Sequence, residues 1–205
     1  MTILSVNKTR ESDGRFAPIF CWVANRGPFL LEMIVVMKSK ARQIAYAAII
    51  AALYVVLTYA QNFLLPNTTS GAIQYRISEA LGVLALFTPA AIPGFGIGCL
   101  IFNISNAGAM PLDIILGPLA SVLAAWSMWK LRKVTVKGYP LVAMLMPAFW
   151  NGLLVGGELT YYFGVGFWIN AFGVAVGELV VLITLGTVLF YVLGTRNLAQ
   201  RIFGD

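Results

Sequence analysis

YRISEALGVLALFTPAAIPGFGIGCLIFNI, residues 75–104, decides the fold, because it reads either as one membrane crossing or as two. Pro89 and Pro93 interrupt it, and the residue before a proline resists helix, so the stretch divides into two short apolar helices. Positive charge supports the division. Lys38, Lys40 and Arg42 precede the first apolar run, Lys130, Arg132, Lys133 and Lys137 follow the fourth, and Arg196 and Arg201 follow the last. Basic residues collect on the cytoplasmic side, and the three clusters share that side only when an even number of crossings separates them. Two crossings within 75–104 meet that condition. The predicted spans are residues 42–60, 75–88, 91–106, 112–129, 139–157 and 166–193. This is an all-α polytopic membrane protein with six transmembrane helices and both termini cytoplasmic. The outer loops are then 61–74, 107–111 and 158–165.

Composition points the same way. Of the 205 residues, 60% are hydrophobic and 11% charged, against about a quarter charged in a soluble domain. The net charge of +6 is accounted for by the inner loops, so it gives no argument for nucleic-acid binding. Histidine is absent, which excludes imidazole proton relays and histidine metal sites. Cys21 falls in a tail and Cys99 in a span, so the sequence predicts no disulfide and no metal site. Residues 1–36 carry scattered charges, Pro18 and Pro28, and no sustained period. Met37 opens a basic segment followed by an apolar run. The expected organisation is an N-terminal extension over 1–36, outside the fold and with Met37 as the natural start, and a six-helix membrane-embedded substrate-binding domain over 37–205.

An ionisable side chain within a bilayer costs on the order of 2.5–3.5 kcal/mol on insertion scales, and it normally faces the bundle interior. Glu79, Asp113 and Glu158 fall near the outer ends of three spans, and Arg76 is the only basic residue on that side. Glu178 lies in the last span, roughly 18 Å deep at 1.5 Å per residue. Asn103, Asn106, Asn151 and Asn170 occupy similar depths, interleaved with Trp150, Trp168, Tyr161 and Tyr162. Carboxylates and amides that meet a planar edge, with aromatics that stack on its face, make a site for a polar heterocycle. Competing structural roles exist for several of them. Arg76 and Glu79 can neutralise each other at i, i+3, Asp113 can be a first-turn acid, and the aromatics can form an interfacial belt. Glu158, in NGLLVGGELTYYFG, has no cation near it in sequence, which makes it the strongest ligand candidate among the acids. Small residues at spacing four mark close helix contacts: Ala47/Ala51, Ala48/Ala52, Gly152/Gly156 and Gly173/Gly177. The two alanine pairs form a smooth strip, suited either to internal packing or to docking. No phosphate-cradling loop, nucleophile elbow or metal-ligand spacing is present, so nothing in the chain marks a catalytic residue or an ATP engine. Nor do two similar halves appear.

Residues 75–104, followed by PLDIILGPLASVLAA at 111–125, resemble the QueT family of queuosine-precursor transporters, the substrate-binding S components of energy-coupling factor (ECF) importers. The likeness runs from about Met37 to the C-terminus and rests most on Arg76-Ile-Ser-Glu79-Ala, the Pro89–Gly98 turn and Pro111-Leu-Asp113. The resemblance implies an outward-opening pocket for a 7-deazaguanine such as preQ1 or queuine. It implies partners in a transmembrane coupling protein and two ATPase subunits, so that ATP is used by the partners and this chain carries no cofactor. It also implies docking through an alanine strip, here Ala47, Ala48, Ala51 and Ala52. A guanine-like edge offers two adjacent N–H donors to one carboxylate, and an aminomethyl cation wants a second. Glu158 is expected to fill one role and Glu79 or Asp113 the other. Asn103, Asn106, Asn151 and Asn170 would read ring atoms, Phe102, Trp150 or Tyr161 would stack, and Arg76 and Glu178 complete the expected lining. Loop 61–74 would close over the pocket. The alternatives are an S component for another vitamin-type heterocycle, or a stand-alone small membrane carrier or assembly protein.

Overall fold

The structure, a computed structural model, describes residues 17–66, 68, 75–106, 108–195 and 198–203, with side chains from residue 39 onward except at residue 195. The chain divides into two compact units, residues 1–42 and 43–205. In the first, the backbone is helical from Ala17, where the sequence pattern shows no sustained period. Pro18 sits in the first turn, where its missing N–H costs nothing. Residues 1–16 of the expected extension and residues 67 and 69–74 of the expected closing loop lie outside the described residues.

The second unit holds the bundle. Helix α1 spans Ala17–Leu64, and its membrane-length part is Ser39–Leu64. A 3₁₀ segment, Ile77–Leu86, follows, then α2, Ala91–Ser105, and α3, Asp113–Leu131. One further span, Leu141–Phe163, is made of α4, Leu141–Met144, and α5, Met146–Phe163. Pro147 has no N–H to give the Ala143 carbonyl, which accounts for the break at Leu145. The last span, Phe167–Gly194, joins α6, Phe167–Val181, to α7, Thr187–Thr195, through a π turn at Leu182–Gly186. A short α8, Leu198–Phe203, closes the described chain. Between α3 and α4, Val136 pairs with Tyr139 across a two-residue turn. Lys137 and Gly138 there have φ of 51° and 82°, the mirror-image geometry that a tight hairpin requires.

Among the described residues, four helices are long and apolar enough to cross a membrane: Ser39–Leu64, Asp113–Leu131, Leu141–Phe163 and Phe167–Gly194. The other two expected spans are shorter. The 3₁₀ segment has 10 residues, about 20 Å at its 2.0 Å rise, and α2 has 15, about 22 Å at 1.5 Å per residue. Neither reaches the roughly 30 Å of a hydrocarbon core. Their boundary at Thr88–Ala90 falls where Pro89 placed it. Eight of the ten residues in the 3₁₀ segment are buried, so it runs through the middle of the bundle. Around it pack Tyr54, Phe95, Cys99, Met128, Met144 and Leu182. A second apolar group, Val155, Leu159 and Val174, joins α5 to α6.

Close approaches fall at small residues. A Cβ on Gly94 would lie 3.0 Å from the Ala47 carbonyl oxygen, and one on Gly98 would lie 3.1 Å from that of Ala51. Ala47 and Ala51 are accordingly buried against α2, whereas Ala48 and Ala52 are exposed. The strip therefore has two faces, one packed within the unit and one open. Gly152 and Gly156 of α5 meet Ala171 of α6.

Candidate functional site

The site begins on one face of α1. Tyr54, Thr58 and Gln61 stand at i, i+4 and i+7, all buried in an otherwise apolar helix. Each grips the chain around Arg76–Glu79. The Tyr54 hydroxyl donates to Glu79 Oε1 at 2.8 Å, and the Thr58 hydroxyl donates to Ser78 Oγ at 2.8 Å. Gln61 Oε1 accepts from the Ile77 N–H at 2.6 Å, while its Nε2 donates to the Tyr75 carbonyl. This antiparallel ladder holds the entry to the 3₁₀ segment against α1.

From that anchored base, the Arg76 guanidinium reaches Asp113 Oδ2, at the start of α3, at 3.5 Å, and its Nη1 lies 3.8 Å from Cys99 Sγ. Asn103 Nδ2 donates to the Asp113 carbonyl at 2.6 Å. Gly117, one turn into α3, makes room for both. A Cβ there would sit 2.6 Å from Asn103 Nδ2 and 2.9 Å from Asp113 Oδ1. Glu158 approaches the Asp113 backbone, whose N–H is already given to the Met110 carbonyl at 3.0 Å. Asn151 stands seven residues before Glu158, on the same buried face of α5. Glu178 of α6 interacts electrostatically with Glu79 and Arg76.

Arg76 is thus within electrostatic range of all four acids, Glu79, Asp113, Glu158 and Glu178. Four buried carboxylates share the field of one guanidinium, with Asp113 in direct contact. Several of their atoms are unanswered. Among the described residues, Asn103 Oδ1, Asp113 Oδ1, Asn151 Nδ2, both Glu158 oxygens and Glu178 Oε2 are buried without a hydrogen-bond partner. An unmet buried polar atom costs about 1–3 kcal/mol, and most such atoms in proteins are satisfied. These come from α2, α3, α5 and α6, and Asn103, Asp113, Glu158 and Glu178 share one acid-rich polar centre with Arg76 and Glu79. It can accept several N–H donors and balance positive charge. No group of three metal-ligating acids or cysteines occurs among the described residues.

The remaining expected residues divide. Asn170 is buried but spent, donating to Thr160 Oγ1 at 3.1 Å and to the Val165 carbonyl at 3.3 Å. Phe102 is fully buried, with its ring edge-on to Tyr59 at 5.1 Å. Asn106 turns its Oδ1 to the Gly108 N–H at the end of α2. Trp150 donates to Ser127 Oγ at 2.9 Å and lines a groove with Trp126 and Lys130. Tyr161 is 76% exposed and packs on Tyr162. Trp150, half-buried at mid-span against Ser127 of α3, and Tyr161, exposed near the end of its span as interfacial aromatics are, therefore stand apart from the acid-rich centre. A groove of about 570 Å³ between α5 and α6 is lined by Phe149, Phe167, Trp168 and Phe172, with no acid in its wall. The sequence reading missed Tyr54, Thr58, Gln61 and Ser78. The signal was there: three uncharged polar residues at helical spacing on one face of an apolar span.

The QueT transporter family matches residues 44–195. The chain is 35% identical over 155 residues to the queuosine precursor transporter QueT of Lactococcus lactis subsp. cremoris (strain MG1363), an overlap of 73% of this chain and 83% of that one. No solved structure shows a match. The family and this relative are transporters, not enzymes. With its apolar helices and its acid-rich buried centre, this multi-pass membrane chain belongs to the QueT transporter family.

Proposed function

We propose that this chain is the substrate-binding S component of an ECF-type importer that takes up a queuosine precursor, a 7-deazaguanine such as preQ1 or queuine. The observation that carries the reading is the Glu158 carboxylate, 2% exposed, with neither oxygen bonded. A bidentate carboxylate matches two adjacent N–H donors of a guanine-like edge. Asn103, whose side chain bonds the Asp113 carbonyl, carries an unmet acceptor in Oδ1, and Asn151, two turns before Glu158 on α5, carries an unmet donor in Nδ2. The excess of carboxylates over guanidinium suits an aminomethyl cation, with Asp113, Glu79 or Glu178 as its partner. The proposed topology has six crossings with both termini cytoplasmic, in the cytoplasmic membrane of a prokaryote. The 3₁₀ segment and α2 supply the two short crossings. The partners are a transmembrane coupling protein and two ATPases. Of the alanine strip, Ala48 and Ala52 offer the open face for docking, with Ala47 and Ala51 beneath. In this reading solute enters from outside and the unit topples when the ATPases drive the coupling protein.

Glu158→Gln is the test. Losing a hydrogen bond to a charged group costs about 1.5–3 kcal/mol, a fall of roughly 10- to 100-fold in affinity. Titration of preQ1 and queuine into purified protein is expected to show that loss. Melting without ligand is expected to be unchanged or higher, because a buried carboxylate with no hydrogen-bond partner has been removed. Undiminished affinity in this variant would take Glu158 out of the site. Capture of tagged protein without a coupling protein and an ATPase pair would remove the importer reading.

A further inference from the structure

We infer that Gln61 is the positioning residue of this site: its side-chain amide fixes the backbone on both sides of Arg76 and so sets where the guanidinium meets Asp113. The inference rests on the solute-binding reading above.

The geometry is specific. Gln61 is 2% exposed and belongs to α1, not to the segment it holds. Its Oε1 takes the Ile77 N–H at 2.6 Å. Its Nε2 gives one hydrogen to the Tyr75 carbonyl and one to Thr68 Oγ1 at 2.9 Å. Both amide hydrogens and the oxygen are therefore in use, three of the four bonds such a group can make. Ile77 opens the 3₁₀ segment, and Arg76 before it makes no side-chain cap. The first N–H groups of any helix lack partners within it, so Gln61 caps this one from a neighbouring helix. Arg76 is left between two pinned peptide groups, its own backbone extended at φ −111° and ψ 115°.

Position matters because the guanidinium is the only cation described within reach of four buried acids. An arginine side chain loses much rotamer freedom when its head is held, and a fixed base limits the volume that head can sweep. The approach to Asp113, at 3.5 Å, is at the edge of hydrogen-bond range. A shift of the base by a few tenths of an ångström breaks or makes it. Thr58 and Tyr54 continue the same ladder to Ser78 and Glu79, but only Gln61 bonds the backbone itself.

The experiment compares preQ1 affinity in wild type, Gln61→Met, Arg76→Lys and the double variant. Methionine keeps the length and removes the three bonds. Gln61→Met is expected to bind about tenfold more weakly. The double variant should bind about as weakly as Arg76→Lys alone, because Gln61 acts through Arg76. Wild-type affinity in Gln61→Met overturns the inference, and so do losses that add in full, since a purely structural residue would give additivity. Wild-type protein that binds no deazaguanine counts against the proposed function instead. In that event, or if the variants fail to fold, hydrogen exchange on the wild-type chain decides. A protected Ile77 amide supports the clasp, and one that exchanges at the rate of an unbonded amide overturns it.

Discussion

Arg76→Met is expected to be the most damaging single change to this protein. Arg76 and Asp113 are each 5% exposed, and they meet where water cannot replace a lost partner. Removing one member of a buried ion pair costs about 3–5 kcal/mol, because the other charge is left stranded. Here the loss falls on Glu79, Glu158 and Glu178 as well, since the same guanidinium acts on all of them. Thermal unfolding in detergent should show a large drop, and preQ1 binding should vanish. Adding Asp113→Asn to that variant removes the stranded charge. It should recover part of the stability without restoring affinity. A single variant that melts like wild type would contradict the central place given to Arg76.

The second large effect is expected at Gly156. A Cβ there would lie 2.6 Å from Ala171 Cα and 2.8 Å from its backbone nitrogen. Those atoms are backbone, so relief requires α5 and α6 to move apart. Overpacking of this kind costs about 1–3 kcal/mol for small additions, and Gly156→Leu should exceed Gly156→Ala. Spreading the helices also moves Glu158, two residues on, so solute binding should weaken with stability. Ala171→Gly should rescue Gly156→Ala only in part. It removes the Ala171 methyl group, 3.0 Å away, and leaves the two nearer backbone atoms in place. Gly194 is the control, since a Cβ there meets nothing within 4 Å. Alanine at 194 is expected to be neutral or mildly stabilising. Equal melting temperatures for Gly156→Ala and Gly194→Ala would show that the close crossing does not matter.

Much of the architecture was legible because bilayer physics is strict. Apolar length, two prolines and three basic clusters located the helices over 39–194 to within a few residues, apart from the C-terminal end of α5, and marked neither the N-terminal start of α1 nor α8. What they did not convey was how the chain coils over Ile77–Leu86. Past Ser78 and Glu79 the run is apolar on every side and carries no periodic signal, so nothing distinguished a 3₁₀ path from an α one. The acids were legible for the same reason of cost: Glu79, Asp113, Glu158 and Glu178 had to be inside, and they are. Rotation about each helix axis was not legible. It is set by side-chain packing between neighbours, and it turned Tyr161 and Trp150 away from the centre while bringing Tyr54, Thr58 and Gln61 toward it. Uncharged polar residues attract little notice in a span, although each carries a full hydrogen-bonding requirement.

Helix α1 cannot spin in place. Three rungs at Tyr54, Thr58 and Gln61 break together if it does, and Gly94 and Gly98 leave no slack on the Ala47 and Ala51 side. Torque applied at Ala48 or Ala52 is therefore delivered, about 14–20 Å along a rigid rod, to the peptide groups that seat the Arg76 head. If the proposed partner grips the outside of this rod, the proposed solute would feel it, and by thermodynamic reciprocity a seated solute would alter the grip by the same factor.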